Sequence, residues 1–171
     1  MVAFGGIMGT SAEIKLLVDK NVKGLARWLR FLGLDTLIAG EGESDSTLAE
    51  QVIYENRILI TRDRKLAEKL PKWKCIFLDS DLIPIQIERV LQIIGMTEKE
   101  TWFHRCTSDN EILRELSEER LQDDPRIPSF IKDSKNSEIH RAWICDGCCL
   151  VYWRGSHYDR AKSHLERLSN L

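Results

Sequence analysis

A chain of 171 residues, 43% hydrophobic and 30% charged, can bury a real core and has about the size of one domain or two small ones. Its formal charge of −2 and pI near 6.1 supply no global basic field, so any contact with nucleic acid has to come from local patches. No apolar run suits a membrane span, and residues 1–10 lack the basic start and long apolar centre of a secretory signal, so an intracellular protein, cytoplasmic or nuclear, is expected. The cysteine count of five is odd, and three lie within 145–149. This favours metal ligation over a secreted disulfide framework.

Residues 1–13, MVAFGGIMGTSAE, are Gly-rich and read as a leader or linker outside the fold. From 14 to 96, short apolar runs alternate with helical patterns. IKLLVD, DTLIA, RILITRD and KCIFLDSD carry the nearly continuous apolar stretches of strands buried on both faces of a parallel sheet. Between them, VKGLARWLRFLG ends on Gly33 as a C-cap, and TLAEQVIYEN opens on a capping box from Thr47 to Glu50. RKLAEKL follows, and PIQIERVLQIIG closes on Gly95. The 66–70 stretch and the 85–94 stripe read as core alone. A repeated strand and helix unit gives an α/β sheet with right-handed crossovers. Beyond Gly95 the character changes: residues 97–141 hold few apolar clusters, many charges and the break at Pro125 and Pro128. The expected division is therefore an α/β domain over 14–96 and a second small domain over 97–171.

The acids fall where such a sheet would place a site. Asp19 follows the first strand, Asp45 the second and Asp63 the third, while Asp79 and Asp81 follow the fourth. Sites in open parallel sheets form outside the carboxyl ends of the strands. Carboxylates converging there repel one another unless a hard divalent ion such as Mg²⁺ or Mn²⁺ joins them, and such ions support phosphodiester cleavage. A plainer account makes Asp19 and Asp63, and either Asp79 or Asp81, helix N-caps. Asp45 escapes it, because Thr47 already offers a cap.

The second small domain carries a different kind of signal. WICDGCC places Cys145 and Cys148 in a Cys-x-x-Cys knuckle, whereas HRCTSDN offers Cys106 and, three residues on, Asp109. These stretches and the strands before them resemble a known family. LLVDKNVKGLARWLRFLGLDTL, ENRILITRDRKL, RC with Asn110 close behind, IPSFI and CDGCCLVYWRGSHYDR are similar to the Mut-seven carboxy-terminal ribonuclease-like family, a PIN-like domain followed by a zinc ribbon. The resemblance runs from about Lys15 to Arg160. It implies a divalent-metal-dependent ribonuclease, using Mg²⁺ or Mn²⁺, that acts on single-stranded RNA. Such a domain stands free or closes a larger RNA-processing exonuclease; the alternative is a weakened module that binds RNA or a partner protein for a neighbouring nuclease domain.

Carried over residue by residue, the resemblance puts Asp19, Asp45 and Asp63 on acidic positions, with Asp81 preferred over Asp79 as the fourth. Two departures stand out. Ser44 replaces the first of a pair of acids before the second helix, and Cys106 to Asn110 departs from a Cys-Pro-x-Cys-Asn pattern by putting Asp109 where the second thiolate belongs. The implied structural Zn²⁺ then has Cys106, Cys145 and Cys148, completed by Asp109, or by Cys149, His104 or His140. Loss of zinc, with the cysteines kept as small buried hydrophobes, is the plainer alternative.

Basic residues supply the local patches that net charge does not. Lys20, Lys23 and Arg27 border or follow Asp19, with Arg30 continuing the stripe, and Arg62 and Arg64 flank Asp63. They suit phosphates, although a basic stripe is more often a solvated face. Trp153, Arg154, His157 and Tyr158 interleave aromatic and basic groups, as in grips on single-stranded bases; the competing expectation is that they pack inward in a domain with little core.

Overall fold

The computed structural model describes residues 14–96 and 102–168; the leader expected over 1–13 lies outside them. Contacts divide the chain into two units, Met1–Asn110 and Glu111–Leu171. In the first, strands β1 (Lys15–Val18), β2 (Asp35–Ile38), β3 (Ile58–Thr61) and β4 (Cys75–Phe77) form one parallel sheet in the order β2-β1-β3-β4. The expected α/β architecture is the observed one. Every residue of β3 is buried, which is why ILIT reads as an unbroken apolar run. Because all four strands are parallel, their carboxyl ends share one edge of the sheet, and the chain's change of direction falls between β1 and β3.

Helices α1 (Ala26–Phe31), α2 (Asp45–Tyr54), α3 (Arg64–Glu68) and α4 (Ile83–Ile94) connect and flank these strands, with a 3₁₀ stretch Lys20–Leu25 ahead of α1. Gly33 (φ 87°) and Gly95 (φ 68°) take the left-handed conformation that ends α1 and α4 at low steric cost. Asp63 caps α3, its Oδ1 accepting the N–H of Lys65 at 2.8 Å and of Leu66 at 3.1 Å. Leu17, Leu48, Val52, Leu59, Leu66 and Leu70 form a buried cluster, each full burial contributing roughly 1.5–3 kcal/mol.

Four local expectations are corrected. Helix α2 begins two residues before Thr47, because Ser44 Oγ accepts the Thr47 N–H at 3.2 Å and so acts as the N-cap. Neither Asp79 nor Asp81 caps α4: its N-cap residue is Leu82, whose own N–H is taken by Ser80 Oγ, and Pro84 stands in the first turn. Ile85, expected in the core stripe, is 46% exposed, while Ile87, Val90, Leu91 and Ile94 are buried. Arg30 leaves the solvated stripe altogether and is 5% exposed.

The second unit holds an antiparallel sheet of β5 (Arg114–Glu115), β6 (Ala142–Ile144) and β7 (Val151–Trp153), in the order β5-β6-β7. Between β5 and β6 lie two short helices, α5 (Glu118–Asp123) and α6 (Ser129–Lys132). Leu116, Leu121, Ile127, Ile131 and Ala142 form its core. A seventh helix, α7 (Ser156–Leu168), follows β7 in a stretch free of Gly and Pro. No described helix is long and apolar enough to cross a membrane.

Candidate functional site

Residues 106–110 and 145–149 fold into the same turn. The Asn110 N–H donates to the Cys106 carbonyl at 3.1 Å, and the Cys149 N–H donates to the Cys145 carbonyl at 2.9 Å. Both turns end on a left-handed residue, Asn110 at φ 77° and Cys149 at φ 59°. Asp109 therefore occupies in the first turn the place that Cys148 occupies in the second. In the second turn, the Cys148 N–H also lies 3.5 Å from Cys145 Sγ. One ligand atom from each of Cys106, Asp109, Cys145 and Cys148 lies within 4.8 Å of every other, and no second group of this kind occurs among the described residues. Three thiols and a carboxylate supply the four donors of a closed tetrahedral zinc site, with an oxygen, which Zn²⁺ also accepts, in place of the usual fourth Cys or His, so the cluster could hold such an ion. His140, an alternative fourth donor by sequence, is engaged with the Ile131 carbonyl and the Glu118 carboxylate. That pairing with Glu118 raises its pKa above the ordinary histidine value.

The turn at Cys106 is anchored by polar groups whose partners the sequence does not reveal. Arg30 Nε donates to the Thr36 carbonyl at 2.9 Å, and its Nη1 donates to the carbonyls of Thr107 (3.2 Å) and Ser108 (2.5 Å). Asn110 Oδ1 accepts the Thr36 N–H at 2.8 Å while Nδ2 donates to Asp35 Oδ1 at 2.9 Å. Arg57 Nη1 reaches the same Asp35 oxygen at 2.8 Å, and Arg105 donates to the carbonyls of Gly33 and Asn110. Burial acts to raise the Asp35 pKa, but the hydrogen bonds from Arg57 and Asn110 prevail and hold it below the ordinary value. A buried guanidinium with three carbonyl acceptors is satisfied rather than solvated, which explains why Arg30 departs from its helical stripe.

At the carboxyl edge the acids are less gathered. Asp19 is 4% exposed, and its Oδ2 accepts the Thr61 hydroxyl at 2.6 Å. The Asp63 N–H donates to that same Thr61 Oγ1 at 2.9 Å, so one hydroxyl at the end of β3 joins both residues across the switch point. Asp45 instead pairs with Lys69 at 2.8 Å on the surface, and Asp81 is exposed in the loop after β4. No cation pairs with Asp19 among the described residues, although a buried carboxylate is costly without one.

Of the basic candidates, Lys20, Lys23, Arg27, Arg62 and Arg64 are exposed, with Arg64 over the Phe77 ring at 5.1 Å and Arg27 beside Trp28 at 5.9 Å. In the second unit, Trp143 is buried, with Arg141 at 5.3 Å and Arg154 at 5.7 Å from its ring. Arg154 also lies 5.5 Å from the Tyr158 ring and pairs with Glu138 at 2.6 Å. Trp153 packs against that unit's core, and His157 is exposed on α7 beside Arg160.

A parallel α/β domain with acids along its carboxyl edge is followed by a small sheet and a cysteine cluster, and the family comparison makes this a nuclease-related domain. The Mut7-C RNAse domain model matches residues 14–165, and the chain belongs to that family. Over 71 residues it is 34% identical to the human (Homo sapiens) protein "Exonuclease mut-7 homolog"; the match covers 40% of this chain and 8% of that relative. The chain thus corresponds to a small fraction of the relative's length. No solved structure matches it.

Proposed function

We propose that the chain is a divalent-cation-dependent ribonuclease domain acting on single-stranded RNA, with a structural zinc at the cysteine cluster. The observation that carries the catalytic assignment is Asp19: a nearly buried carboxylate at the switch point, lacking a cationic partner among the described residues and joined through the Thr61 hydroxyl to the backbone N–H of Asp63. Its donor chemistry fits Mg²⁺ or Mn²⁺, hard ions that take carboxylate oxygens. Asp19 and Asp63 would hold the ion, with Asp45 joining if Lys69 releases it, and Asp81 beyond them. When bound, the ion supplies an activated water and stabilises the leaving oxygen. Lys20, Lys23, Arg62 and Arg64 stand near these acids in the chain and would hold backbone phosphates. In the second unit Trp153, Arg154, His157 and Tyr158 are the candidates for stacking and phosphate contacts. RNA would have to compete there with the Glu138 and Trp143 contacts of Arg154.

A second reading has its own support: Ser44 stands where the family pattern has an acid, and Asp45 is already neutralised by Lys69. The chain would then bind RNA, or a neighbouring exonuclease domain or its partners, without cutting. Asp63→Asn separates the two, because Asn caps a helix about as well as Asp and so preserves α3. With single-stranded RNA in Mn²⁺ or Mg²⁺, the native chain should cleave, and the variant should lose on the order of 100-fold in rate or more while binding persists. Equal binding with no cleavage by either chain would establish the binding module instead. Absence of binding at moderate salt would defeat both.

A further inference from the structure

The first unit ends on one side in a short edge strand, preceded by Lys72 and Lys74. Strand β4 is outermost on its side and, among the described residues, pairs with β3 alone. Its three residues, Cys75, Ile76 and Phe77, include no charge and no proline, two of the devices that stop a foreign strand from adding to an edge; shortness, a third, limits an added strand to a few main-chain bonds. Alongside runs a cavity of about 510 Å³, walled by apolar side chains that include Leu70, Trp73, Ile76, Phe77 and Ile93. That is the size of a site for a large apolar group, and Trp73 among its lining residues is 54% exposed. Burial pushes the Cys75 thiol up to about 11, so at neutral pH it serves as an apolar wall rather than a nucleophile.

Charge selects the occupant. Arg64, Lys72 and Arg89 line the same cavity against a single acid, Glu68. The cavity runs the length of β4, from Ile58 and Cys75 at the start of β3 and β4 to Phe77 and Arg64 near the Asp63 edge, with Lys72 at the end away from that edge. A nucleobase would need polar partners for its ring edges, and these walls are mostly apolar; a peptide strand would find main-chain partners on β4 itself.

We propose that this edge docks an extended acidic segment of a partner protein: the segment adds as a strand to β4, seats one apolar side chain in the cavity and sets its carboxylates against Lys72 and Arg89. Alternation along a strand supplies both faces of such a ligand. The test titrates the full chain with a fluorescein-labelled peptide that alternates Glu with Val around a central Phe, followed by anisotropy. Saturable binding is expected, weakened about tenfold or more when Lys replaces Glu, when the peptide backbone is N-methylated, or in Trp73→Ala and Arg89→Glu chains whose circular dichroism is unchanged. No binding, or equal binding of the Glu and Lys peptides, overturns the proposal. So does a dimer in sedimentation that Trp73→Ala abolishes, which would make the occupant a second copy, or competitive displacement of the peptide by single-stranded RNA, which would make it a nucleic acid.

Discussion

The cysteine cluster and the carboxylate edge are both groups of potential metal ligands, yet they are assembled to different degrees. Four donors already lie within 4.8 Å of one another in the cluster, and the backbone of each turn fixes its own pair. At the edge, one hydroxyl joins Asp19 and Asp63, while Asp45 is turned to Lys69. Thiols are close to neutral at pH 7 and can gather before a metal arrives; carboxylates are charged and repel until a cation comes. Under the proposed function, the structural ion would enter a set of donors already gathered, whereas the catalytic ion would have to draw its acids together.

The sharpest way to break this contrast is to remove one donor from each side. Cys145→Ser should reduce zinc from about one per chain to near none by elemental analysis and unfold the second unit, since structural zinc in small domains contributes roughly 10–16 kcal/mol. Asp63→Asn should leave thermal stability within about 1 kcal/mol, because the cap survives. Equal losses in the two variants would show that the edge is also structural.

A smaller effect tests what shapes the first turn. Arg30→Lys keeps the charge but cannot serve the carbonyls of Thr36, Thr107 and Ser108 together, and should cost about 2–4 kcal/mol in urea denaturation. Zinc affinity measured against a competing chelator should fall with it. An unchanged affinity would mean that the turn shapes itself. The smallest effect is in pH. Asp35 has its folded pKa below the unfolded value, so the stability it contributes is present above the unfolded value near 4 and drains away as pH falls through the folded one. Asp35→Asn should flatten that acid limb in denaturation curves recorded between neutral and strongly acid pH.

Much of the fold was legible because it rests on local rules. ILIT and its companions announce buried parallel strands, Gly33 and Gly95 mark left-handed helix ends, and Asp63 opens α3. The start of α2 was misplaced because Ser44, Ser46 and Thr47 offer competing caps within four residues, and only the backbone decides among them. The resemblance pointed to Cys106, Cys145 and Cys148 and left the fourth donor open among Asp109, Cys149, His104 and His140; the group of donors within 4.8 Å includes Asp109. Arg30 and Asp35 were not legible, because their partners lie up to 78 residues away and a helical stripe of basic residues looks solvated until those carbonyls are found beneath it. Helix α7 had a signal in its lack of Gly and Pro, masked by aromatic and basic residues that read more readily as a binding surface.

The matched turns around Cys106 and Cys145 carry a consequence for metal choice. Three thiolates and a carboxylate bear the same formal charge as four thiolates, so electrostatic demand on the ion is unchanged while one soft donor has become hard. Soft ions such as Cd²⁺ and Cu⁺ draw their advantage from sulfur, whereas Zn²⁺ accepts oxygen as well. With zinc bound as proposed, Asp109 would shift the cluster away from thiophilic competitors while keeping the turn, and Asp109→Cys would trade that selectivity for grip.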